Sequence, residues 1–298
     1  MIPIERTATP KQKPAAAPVF GTVFTDHMFV AEYENGAWGK ARIQPYRPFA
    51  LDPATSVFHY GQAVFEGLKA YKSADGAVRL FRYRDNIARL DESAERICMP
   101  KVPHELFEEG LLTLIETERD WIPSAPGTSL YIRPCLIASD TRLAVHACNR
   151  CIFFIIASPV GAYYARGLSP VKLLAETTYS RAAKGGTGGV KFAGNYAASL
   201  LAAHKAEAQG YDQIMWLDAA TKTIAEEVGS MNIFFVEDGR VLTPALSGSI
   251  LPGITRRSVL QLLRHEGVAC EEGAISVDRI VAGIKKGTLT EVFGTGTA

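Results

Sequence analysis

A glycine-rich stretch at residues 184–200 constrains this chain more than any other, with the sequence K-G-G-T-G-G-V-K-F-A-G-N-Y-A-A-S-L. Four glycines precede Lys191 and Gly194 follows it, so the backbone there can adopt positive φ or approach a ligand closely. Helical spacing then predicts one helix over residues 195–209. A helix that begins beside such a loop presents free N–H groups and the positive end of its dipole.

Lys191 itself has three interpretations. It can be an ordinary solvated charge, which is the common fate of lysines in such loops. It can belong to a phosphate loop, but that motif needs glycine before the lysine and Ser or Thr after it, and here Val190 and Phe192 flank it. It can also be an amine that attacks a carbonyl and forms a Schiff base. Features elsewhere in the sequence are needed to distinguish a solvated charge from a Schiff-base lysine.

Composition narrows the class of protein. The chain has 298 residues, 47% of them apolar and 21% charged, which is ordinary for a folded protein of about two domains. A net charge of +1 gives no basis for binding nucleic acid or an acidic membrane. The longest apolar run, residues 151–160, is half the length of a membrane span, so we expect no membrane segment. Residues 1–20 lack a signal-peptide core and are expected to be a disordered tail.

The spacing of the cysteines and histidines matches no complete metal-binding motif. Five cysteines, an odd number without a dense framework, favour a reducing, cytoplasmic setting. Cys148 and Cys151 form a C-x-x-C, for which a redox or metal role stays open, although only His146 lies near enough in sequence to add a ligand. The absence of a G-x-S-x-G motif weakens a serine hydrolase interpretation.

The element pattern predicts two domains. We place a small domain at residues 21–160, a linker at 161–170 and a large domain at 171–298. In chain order, the predicted elements are a hairpin over 22–44, a strand at 78–82, helices at 84–98 and 107–122, strands at 129–138 and 151–160, a strand at 171–178, the helix at 195–209, a strand at 213–218, a strand pair within 224–236, a helix within 250–264 and a last strand at 289–293.

Several separate features are suited to holding one phosphate. Arg89 lies near the apolar side of its predicted helix and needs an anionic partner, either a carboxylate or a phosphate. Ile254 and Thr255 follow Pro252-Gly253 at a predicted helix start, and residues 294–298 read G-T-G-T-A. A pyridoxal phosphate enzyme needs such an anchor, a lysine and a carboxylate, for which the pair Glu226-Glu227 is available. The alternative is that these features are unrelated.

Seven motifs in order carry a resemblance to a known family. They are H-Y-G-Q-A-V-F-E-G-L-K-A-Y, L-Y-I-R-P, S-P-V-G-A-Y, K-F-A-G-N-Y-A-A-S-L, E-V-G-S-M-N, S-I-L-P-G-I-T-R and E-V-F-G-T-G-T-A. From residue 20 onward the chain resembles the branched-chain amino acid aminotransferases of class IV. The resemblance implies the two-domain α/β (α+β) fold of fold type IV, like D-amino acid aminotransferase, with pyridoxal 5'-phosphate as cofactor. It also implies transamination of L-leucine, L-isoleucine and L-valine with 2-oxoglutarate.

The resemblance also implies a role for individual residues. Lys191 is expected to form the Schiff base and to move the proton, Glu227 to bind the pyridine nitrogen, and Tyr196 to bind the phenolate oxygen. Arg181 is expected to support the site. The expected phosphate ligands are Arg89, the amides of Ile254 and Thr255, and Thr297, with Ser230 close by.

The substrate residues follow from the same resemblance. Tyr60 and Phe65, which aromatic content alone would place in the core, are expected in the pocket with Tyr131 and Tyr163. The turn at Thr297 and Ala298 is expected to meet the α-carboxylate, and Arg133 with Tyr131 the distal carboxylate of glutamate. An apolar pocket separates leucine from valine by only about 1–3 kcal/mol, so one enzyme serving all three substrates is expected.

The family pattern further implies a homodimer in which the loop Leu143–Val145 closes the pocket of the partner subunit.

The sequence departs from the family pattern in two respects. The sequence stops at Ala298, at the phosphate-binding turn, where members usually continue, so we expect an incomplete large domain with reduced stability and activity. The redox C-x-x-C of some animal members lies beyond that point, so Cys148 and Cys151 do not correspond to it.

Two other functions remain open. A D-amino acid aminotransferase or an aminodeoxychorismate lyase shares the fold, although Y-x-R-P and G-Q-A-V-F-E-G-L-K-A-Y favour the branched-chain enzymes. An inactive fragment that binds pyridoxal phosphate or a partner without catalysis is the other. Activity with D-alanine and not with L-leucine distinguishes the first, and failure to form a substrate-responsive Schiff base distinguishes the second.

Overall fold

The computed structural model describes residues 1–16, 18–161 and 169–297. These residues form two compact units, of which the second comprises Ser169–Thr297 and the first precedes it. The division falls within residues 161–170, where we placed the linker. Each unit has its own sheet and its own buried cluster of apolar side chains.

The first unit is built on an eight-stranded antiparallel sheet. Its strands are β1 His27–Glu34, β2 Ala37–Trp38, β3 Arg42–Pro45, β4 Ala63–Phe65, β5 Leu68–Lys72, β6 Val78–Leu80, β7 Ser129–Ala138 and β8 Cys151–Val160. The order is β2-β1-β8-β7-β5-β6, with β3 also paired to β1 and β4 to β7. The predicted hairpin return is divided into β2 and β3, where the Gly39 amide donates to the Glu32 carbonyl. Strands β7 and β8 are central, but about half of their residues alternate between buried and half-buried, so one face of these strands is less covered than the other.

Three helices accompany this sheet: α1 Ser56–Tyr60, α2 Tyr83–Arg96 and α3 His104–Thr117. The two long helices confirm the predictions at 84–98 and 107–122, except that α3 ends early and a 3-10 turn, Arg119–Trp121, follows it. The chain leaves α3 at Glu118, whose buried carboxylate binds His27 of β1. Phe107 packs on Phe153 of β8 with ring centroids 5.0 Å apart, so the apolar face of α3 covers the sheet.

The N-terminal residues, expected to be a disordered tail, instead lie against the first sheet. Ile4 forms a β-bridge with Ile43, and the Thr7 amide donates to His27 Nε2 over 2.9 Å. Lys11 Nζ donates to the Thr25 carbonyl over 2.9 Å. The lack of a continuous apolar run in these residues predicted disorder. Instead, Ile2 is buried in the core of the first unit, and the other contacts are backbone and charge interactions that hydrophobicity does not report.

The second unit is a seven-stranded mixed sheet. Its strands are β9 Leu173–Glu176, β10 Gln213–Leu217, β11 Ala225–Val228, β12 Met231–Glu237, β13 Arg240–Pro244, β14 Cys270–Gly273 and β15 Leu289–Thr295. The order is β14-β13-β12-β11-β10-β9, with β15 paired to β12; the pairs β9–β10 and β13–β14 are parallel and the others antiparallel. The predicted strand pair within 224–236 is confirmed as β11 and β12, joined at Gly229, where φ is +55°.

The helices of the second unit are α4 Ala193–Ala197, α5 Leu200–Ala208, α6 Ile254–His265 and α7 Val277–Lys286. The prediction of one helix over 195–209 is wrong, because the chain turns between α4 and α5. There the Ser199 hydroxyl donates to the Tyr196 carbonyl over 2.7 Å, which competes with regular helical bonding. The last strand extends to Thr295, beyond the predicted residue 293.

The mixed helix and strand content in two sheets confirms the predicted α+β class. Among the residues that the structure describes, no helix combines the length and apolar character needed to cross a membrane.

Candidate active site

The glycine-rich loop is fastened to the helix that follows it. Asn195 is buried, and its Nδ2 donates to the carbonyls of Thr187 and Val190 over 2.8 and 3.0 Å. The Thr187 hydroxyl donates to Asn195 Oδ1 over 2.7 Å. A Cβ atom at Gly188 would collide with the Ser249 carbonyl, so this position needs glycine for close approach. The loop therefore holds Lys191 in a defined place.

Lys191 is half-buried, and its Nζ lies 3.1 Å from the hydroxyl of Tyr196, one helical turn onward in α4. The sequence predicted both residues for one site, and the structure brings them together. A phenol beside an amine can exchange a proton with it or hold it in one orientation. This contact does not fit the interpretation of Lys191 as a freely solvated charge.

Glu227 is a deeply buried carboxylate of this unit. It lies in β11 with 3% of its surface exposed, and its Oε1 accepts the Leu251 amide over 2.8 Å. Burial raises the pKa of Glu227 to about 7, and the positive charges of Arg181 and Lys191 oppose that rise. Glu227 therefore changes its charge near neutral pH, and a cation beside it would stabilise the ionised form.

Arg181 connects Glu227 to the glycine-rich loop. Its Nε lies 3.0 Å from Glu227 Oε2, while its Nη2 donates to the carbonyls of Gly188 and Ser249. The buried Nε–H has no acceptor in hydrogen-bonding geometry among the described residues, so the short distance acts through charge and not through a directed hydrogen bond. The sequence assigned this arginine only a supporting role.

Asn232 in β12 joins Glu227 to the start of α6. Its Nδ2 donates to the Leu251 carbonyl over 2.9 Å, so Leu251 is held by its amide and its carbonyl together. A Cβ atom on Gly253 would collide with Asn232 Oδ1. Helix α6 begins after Gly253 without a side-chain cap, which leaves the amides of its first turn available to an anion. The sequence predicted this helix start but missed Asn232 and Leu251.

The other predicted residues of this unit lie near the same strands. Ser230 is in the turn between β11 and β12, and Thr297 follows β15. Thr295 pairs with Asn232 across the sheet, and its buried hydroxyl has no hydrogen-bond partner among the described residues. The sequence grouped Thr295 with an anion-binding turn, whereas the structure places it in a strand. Ala298 lies outside the described residues.

Arg89 belongs to the first unit, where its partner is a carboxylate. Its Nε and Nη2 donate to the two oxygens of Glu66 over 2.7 and 2.9 Å. Asn86 Nδ2 donates to the same carboxylate over 2.8 Å, and Glu66 is fully buried. The sequence gave no sign of Glu66, because the two residues are 23 positions apart. The role of Arg89 toward a phosphate stays a prediction.

Tyr131, Arg133 and Phe65, three predicted substrate residues, form one cluster in the first unit. Arg133 Nη2 donates to the Tyr131 hydroxyl over 2.8 Å, and its guanidinium lies 4.5 Å from the centre of the Phe65 ring. Arg133 Nε is buried without a hydrogen-bond partner in the described part of the chain. A Cβ atom on Gly67 would collide with the Tyr131 hydroxyl, so a larger residue there would displace this side chain. The cluster combines a cation with aromatic surface.

Tyr60 is the last residue of α1 and is 40% exposed, so it is not the core residue that aromatic content alone suggested. Leu143 and Val145 of the predicted loop are more exposed still, at 68% and 85%. Apolar side chains this open to solvent suit a surface that another molecule covers. Tyr163 lies outside the described residues.

Comparison with known proteins gives one consistent result. Residues 63–298 match the family described as amino-transferase class IV. The chain is 54% identical over 301 residues to branched-chain-amino-acid transaminase 1 of Bacillus subtilis (strain 168), covering 100% of this chain and 85% of that protein. It is 50% identical to a probable branched-chain-amino-acid aminotransferase of Staphylococcus aureus (strain N315), covering 100% of this chain and 84% of that protein.

Solved structures agree with the sequence comparison. The branched-chain amino acid aminotransferase of Escherichia coli superposes with a TM-score of 0.75 at 28% identity, covering 92% of this chain and 83% of that one. A second branched-chain amino acid aminotransferase, from T.th. and solved with pyridoxamine 5'-phosphate, superposes with a TM-score of 0.74 at 28% identity, covering 90% and 82%.

Proposed function

Because the chain belongs to the class IV aminotransferases and, among them, to the branched-chain-amino-acid aminotransferases, we propose that it transfers the amino group of L-leucine, L-isoleucine and L-valine to 2-oxoglutarate. The products are the branched-chain 2-oxo acids and L-glutamate. The observation that carries the proposal is the pairing of Lys191 with Tyr196 in the unit that also buries Glu227. A lysine amine and a buried acid are two of the groups that this chemistry requires, and the Tyr196 phenol holds the amine in one orientation.

The cofactor of this family is pyridoxal 5'-phosphate, and the residues present fit it. The Nε–H of Arg181 is buried beside Glu227 without a directed acceptor among the described residues. The first turn of α6 has no side-chain cap, so the second unit contains both a carboxylate for the ring nitrogen and an anion site for the phosphate. When bound, the cofactor supplies a protonated pyridine ring that accepts the electron pair released from the substrate.

In this proposal three side chains would hold the ring of the cofactor. Lys191 Nζ would bind it covalently, the Tyr196 hydroxyl would donate to its phenolate oxygen, and Glu227 would bind its ring nitrogen. The proposed phosphate ligands are the amides of Ile254 and Thr255 together with Arg89, Ser230 and Thr297. Glu227 accepts the Leu251 amide and Asn232 donates to the Leu251 carbonyl, so the start of α6 is kept at a fixed distance from Glu227.

Proton movement is assigned to two groups. Once the substrate amine has replaced it on the cofactor, the free Lys191 Nζ would take the proton from the substrate α-carbon, with the Tyr196 hydroxyl 3.1 Å away to orient it. Glu227 would hold the ring nitrogen in its protonated form, because a buried carboxyl with a pKa of about 7 exchanges its proton near neutral pH.

The substrate pocket is assigned to the cluster around Arg133. Phe65, Tyr60 and Tyr163 offer aromatic surface to a branched side chain, and Thr297 with Ala298 is assigned to the α-carboxylate. Arg133 and Tyr131 are assigned to the distal carboxylate of glutamate, which has to enter the same pocket. The support is geometric, because Arg133 already lies on Phe65 and donates to Tyr131, so a cation and apolar surface are adjacent.

Replacing Gly67 by alanine tests this assignment. The added Cβ collides with the Tyr131 hydroxyl and displaces it from Arg133, so the KM for 2-oxoglutarate is expected to rise roughly tenfold, about the value of one hydrogen bond. The KM for L-leucine is expected to change much less. Gly39→Ala is the matched control, because its φ is not positive and an added Cβ meets only the Glu32 carbonyl at 3.4 Å. Equal changes for both substrates would contradict the assignment.

We assign the active form to a cytoplasmic homodimer in which Leu143–Val145 of one subunit closes the pocket of the other. The exposure of Leu143 and Val145 supports this arrangement. A Lys191→Ala chain keeps the loop, and a chain with Leu143→Asp and Val145→Asp keeps the lysine. Co-expressed, the two inactive chains are expected to recover activity, because each mixed dimer contains one complete site. A monomer in light scattering, or a mixture without activity, would contradict the homodimer.

The function is tested by the consumption of 2-oxoglutarate, with the enantiomer of the glutamate product identified, for each of L-leucine, L-isoleucine, L-valine and D-alanine as amino donor. Turnover with the three branched-chain donors and none with D-alanine is the expected result. Turnover with D-alanine alone would assign the chain to a D-amino acid aminotransferase. No turnover with any donor, together with cofactor binding, would favour a non-catalytic protein.

A further inference from the structure

The C-x-x-C motif that the proposed function leaves unused brings two thiols into contact. The Sγ atoms of Cys148 and Cys151 lie 3.2 Å apart in the first unit, and both residues are buried, at 7% and 1% exposure. Cys151 is the first residue of β8, and Cys148 lies in the segment before it. No group of three or more potential metal-ligating His, Cys, Asp or Glu side chains occurs in the described part of the chain, so a metal does not account for the pair.

Asp140 holds the turn between the two cysteines. Its carboxylate accepts the amide of Asn149 over 3.1 Å and that of Arg150 over 3.2 Å, the two residues that separate the thiols. The Ser139 amide donates to the Arg150 carbonyl over 2.8 Å, which continues the pairing of β7 and β8 toward this turn. Because a disulfide has an S–S distance of about 2.05 Å, the sulfur atoms need to approach by only about 1 Å.

The two thiols are not equivalent. Cys148 lines an open cavity of about 610 Å³ together with Tyr33, Glu34, Pro100 and Asp140, whereas Cys151 does not. The hydrogen bond from Cys151 lowers the pKa of the Cys148 thiol, and the same bond together with burial raises the pKa of Cys151. Cys148 is therefore the thiol that a reagent in the cavity meets, and Cys151 is the thiol behind it.

We propose that Cys148 and Cys151 are a reversible dithiol–disulfide site that low-molecular-weight disulfides oxidise. The Cys148 thiolate attacks one sulfur of the small disulfide, forms a mixed disulfide and releases one thiolate. Cys151 loses its proton to solvent and attacks Cys148 Sγ, which forms the internal disulfide and releases the second thiolate. Two electrons pass from the cysteine pair to the small disulfide, and two protons pass to solvent.

Oxidised glutathione is the probe for this site. The folded holoenzyme is incubated with it, free thiols are blocked with a maleimide, and peptides are identified by mass spectrometry. Of the five thiols, the two of Cys148 and Cys151 are expected to be lost together, without retained glutathione, and to return with dithiothreitol. Five unchanged thiols, a disulfide between other cysteines, or a stable glutathione adduct on the wild-type chain would overturn the proposal.

Two variants and one control separate the steps. Cys151→Ser is expected to stop at a glutathione adduct on Cys148, because no second thiol displaces it. Cys148→Ser is expected to form no adduct at Cys151. Cys98→Ser is the control: Cys98 is an exposed cysteine outside the pair, and its replacement is expected to leave the loss of the other two thiols unchanged. An adduct on Cys151 in the Cys148→Ser chain would reverse the assigned order of reaction.

Discussion

Replacement of Lys191 by alanine is expected to abolish the visible absorbance of lysine-bound cofactor and to lower kcat by at least about 10²–10⁴-fold. The kcat estimate counts only the loss of proton transfer by a positioned group. Loss of the covalent attachment adds to it, because alanine lacks the Nζ atom that lies 3.1 Å from the Tyr196 hydroxyl. Cofactor binding is expected to persist weakly, since the start of α6 is unchanged. Absorbance titration with pyridoxal phosphate and steady-state kinetics measure the two effects.

Lys184→Ala is the matched control for this variant. Lys184 belongs to the same glycine-rich stretch but is exposed, so its replacement changes the charge of the loop without removing the half-buried amine. Its absorbance and kcat are expected to stay near those of the unmodified enzyme. Undiminished turnover in the Lys191→Ala chain would remove the basis of the assignment.

Replacement of Glu227 by glutamine is expected to lower kcat roughly 10- to 100-fold. A neutral amide cannot keep the ring nitrogen protonated, and the loss corresponds to one hydrogen bond to a charged group, about 1.5–3 kcal/mol. The fold should tolerate the change, because the glutamine carbonyl can still accept the Leu251 amide. The pre-steady-state rate of the proton-transfer step with L-leucine measures the effect.

The neighbouring Glu226 supplies the control. Successive residues of a strand point to opposite faces, and Glu226 binds the hydroxyl of Ser249 instead of Leu251. Glu226→Gln is expected to leave the proton-transfer rate within a few-fold of the unmodified enzyme. Equal losses in the two variants would mean that buried charge in β11, and not contact with the ring nitrogen, sets the rate.

The raised pKa of Glu227 also predicts a pH dependence of stability in the cofactor-free protein. Between the ordinary value near 4.5 and about 7, the folded state binds more protons than the unfolded state. The free energy of unfolding therefore falls as pH rises through this window, by about 3 kcal/mol in total. Denaturant unfolding of the cofactor-free Glu227→Gln chain is expected to lack this fall. An identical pH dependence in both chains would contradict the assigned pKa.

Local features of this site could be predicted from sequence. Lys191 and Tyr196 are five residues apart in a glycine-rich loop and the helix after it, so their contact depends on short-range geometry that the pattern contains. The strand pair around Gly229 and the start of α6 after Pro252-Gly253 are local in the same sense. The identification of Glu227 rested on the resemblance, because a glutamate pair in an apolar strand does not say which member faces the cofactor.

Long-range partners could not be predicted. Glu66 lies 23 residues from Arg89, and Leu251 lies 24 residues from Glu227; only the sheet registers and helix packing bring them together. The break at Ser199 depends on a side chain competing for a backbone carbonyl, which helical spacing does not reveal.

The central claim is that Lys191 binds pyridoxal phosphate for use on branched-chain amino acids. An absorbance spectrum of the protein with pyridoxal phosphate, recorded before and after adding L-leucine, tests it most directly. We predict a visible band that L-leucine converts to the pyridoxamine phosphate form and that 4-methyl-2-oxopentanoate restores, while D-alanine leaves it unchanged. A band that ignores L-leucine and responds to D-alanine would contradict the account.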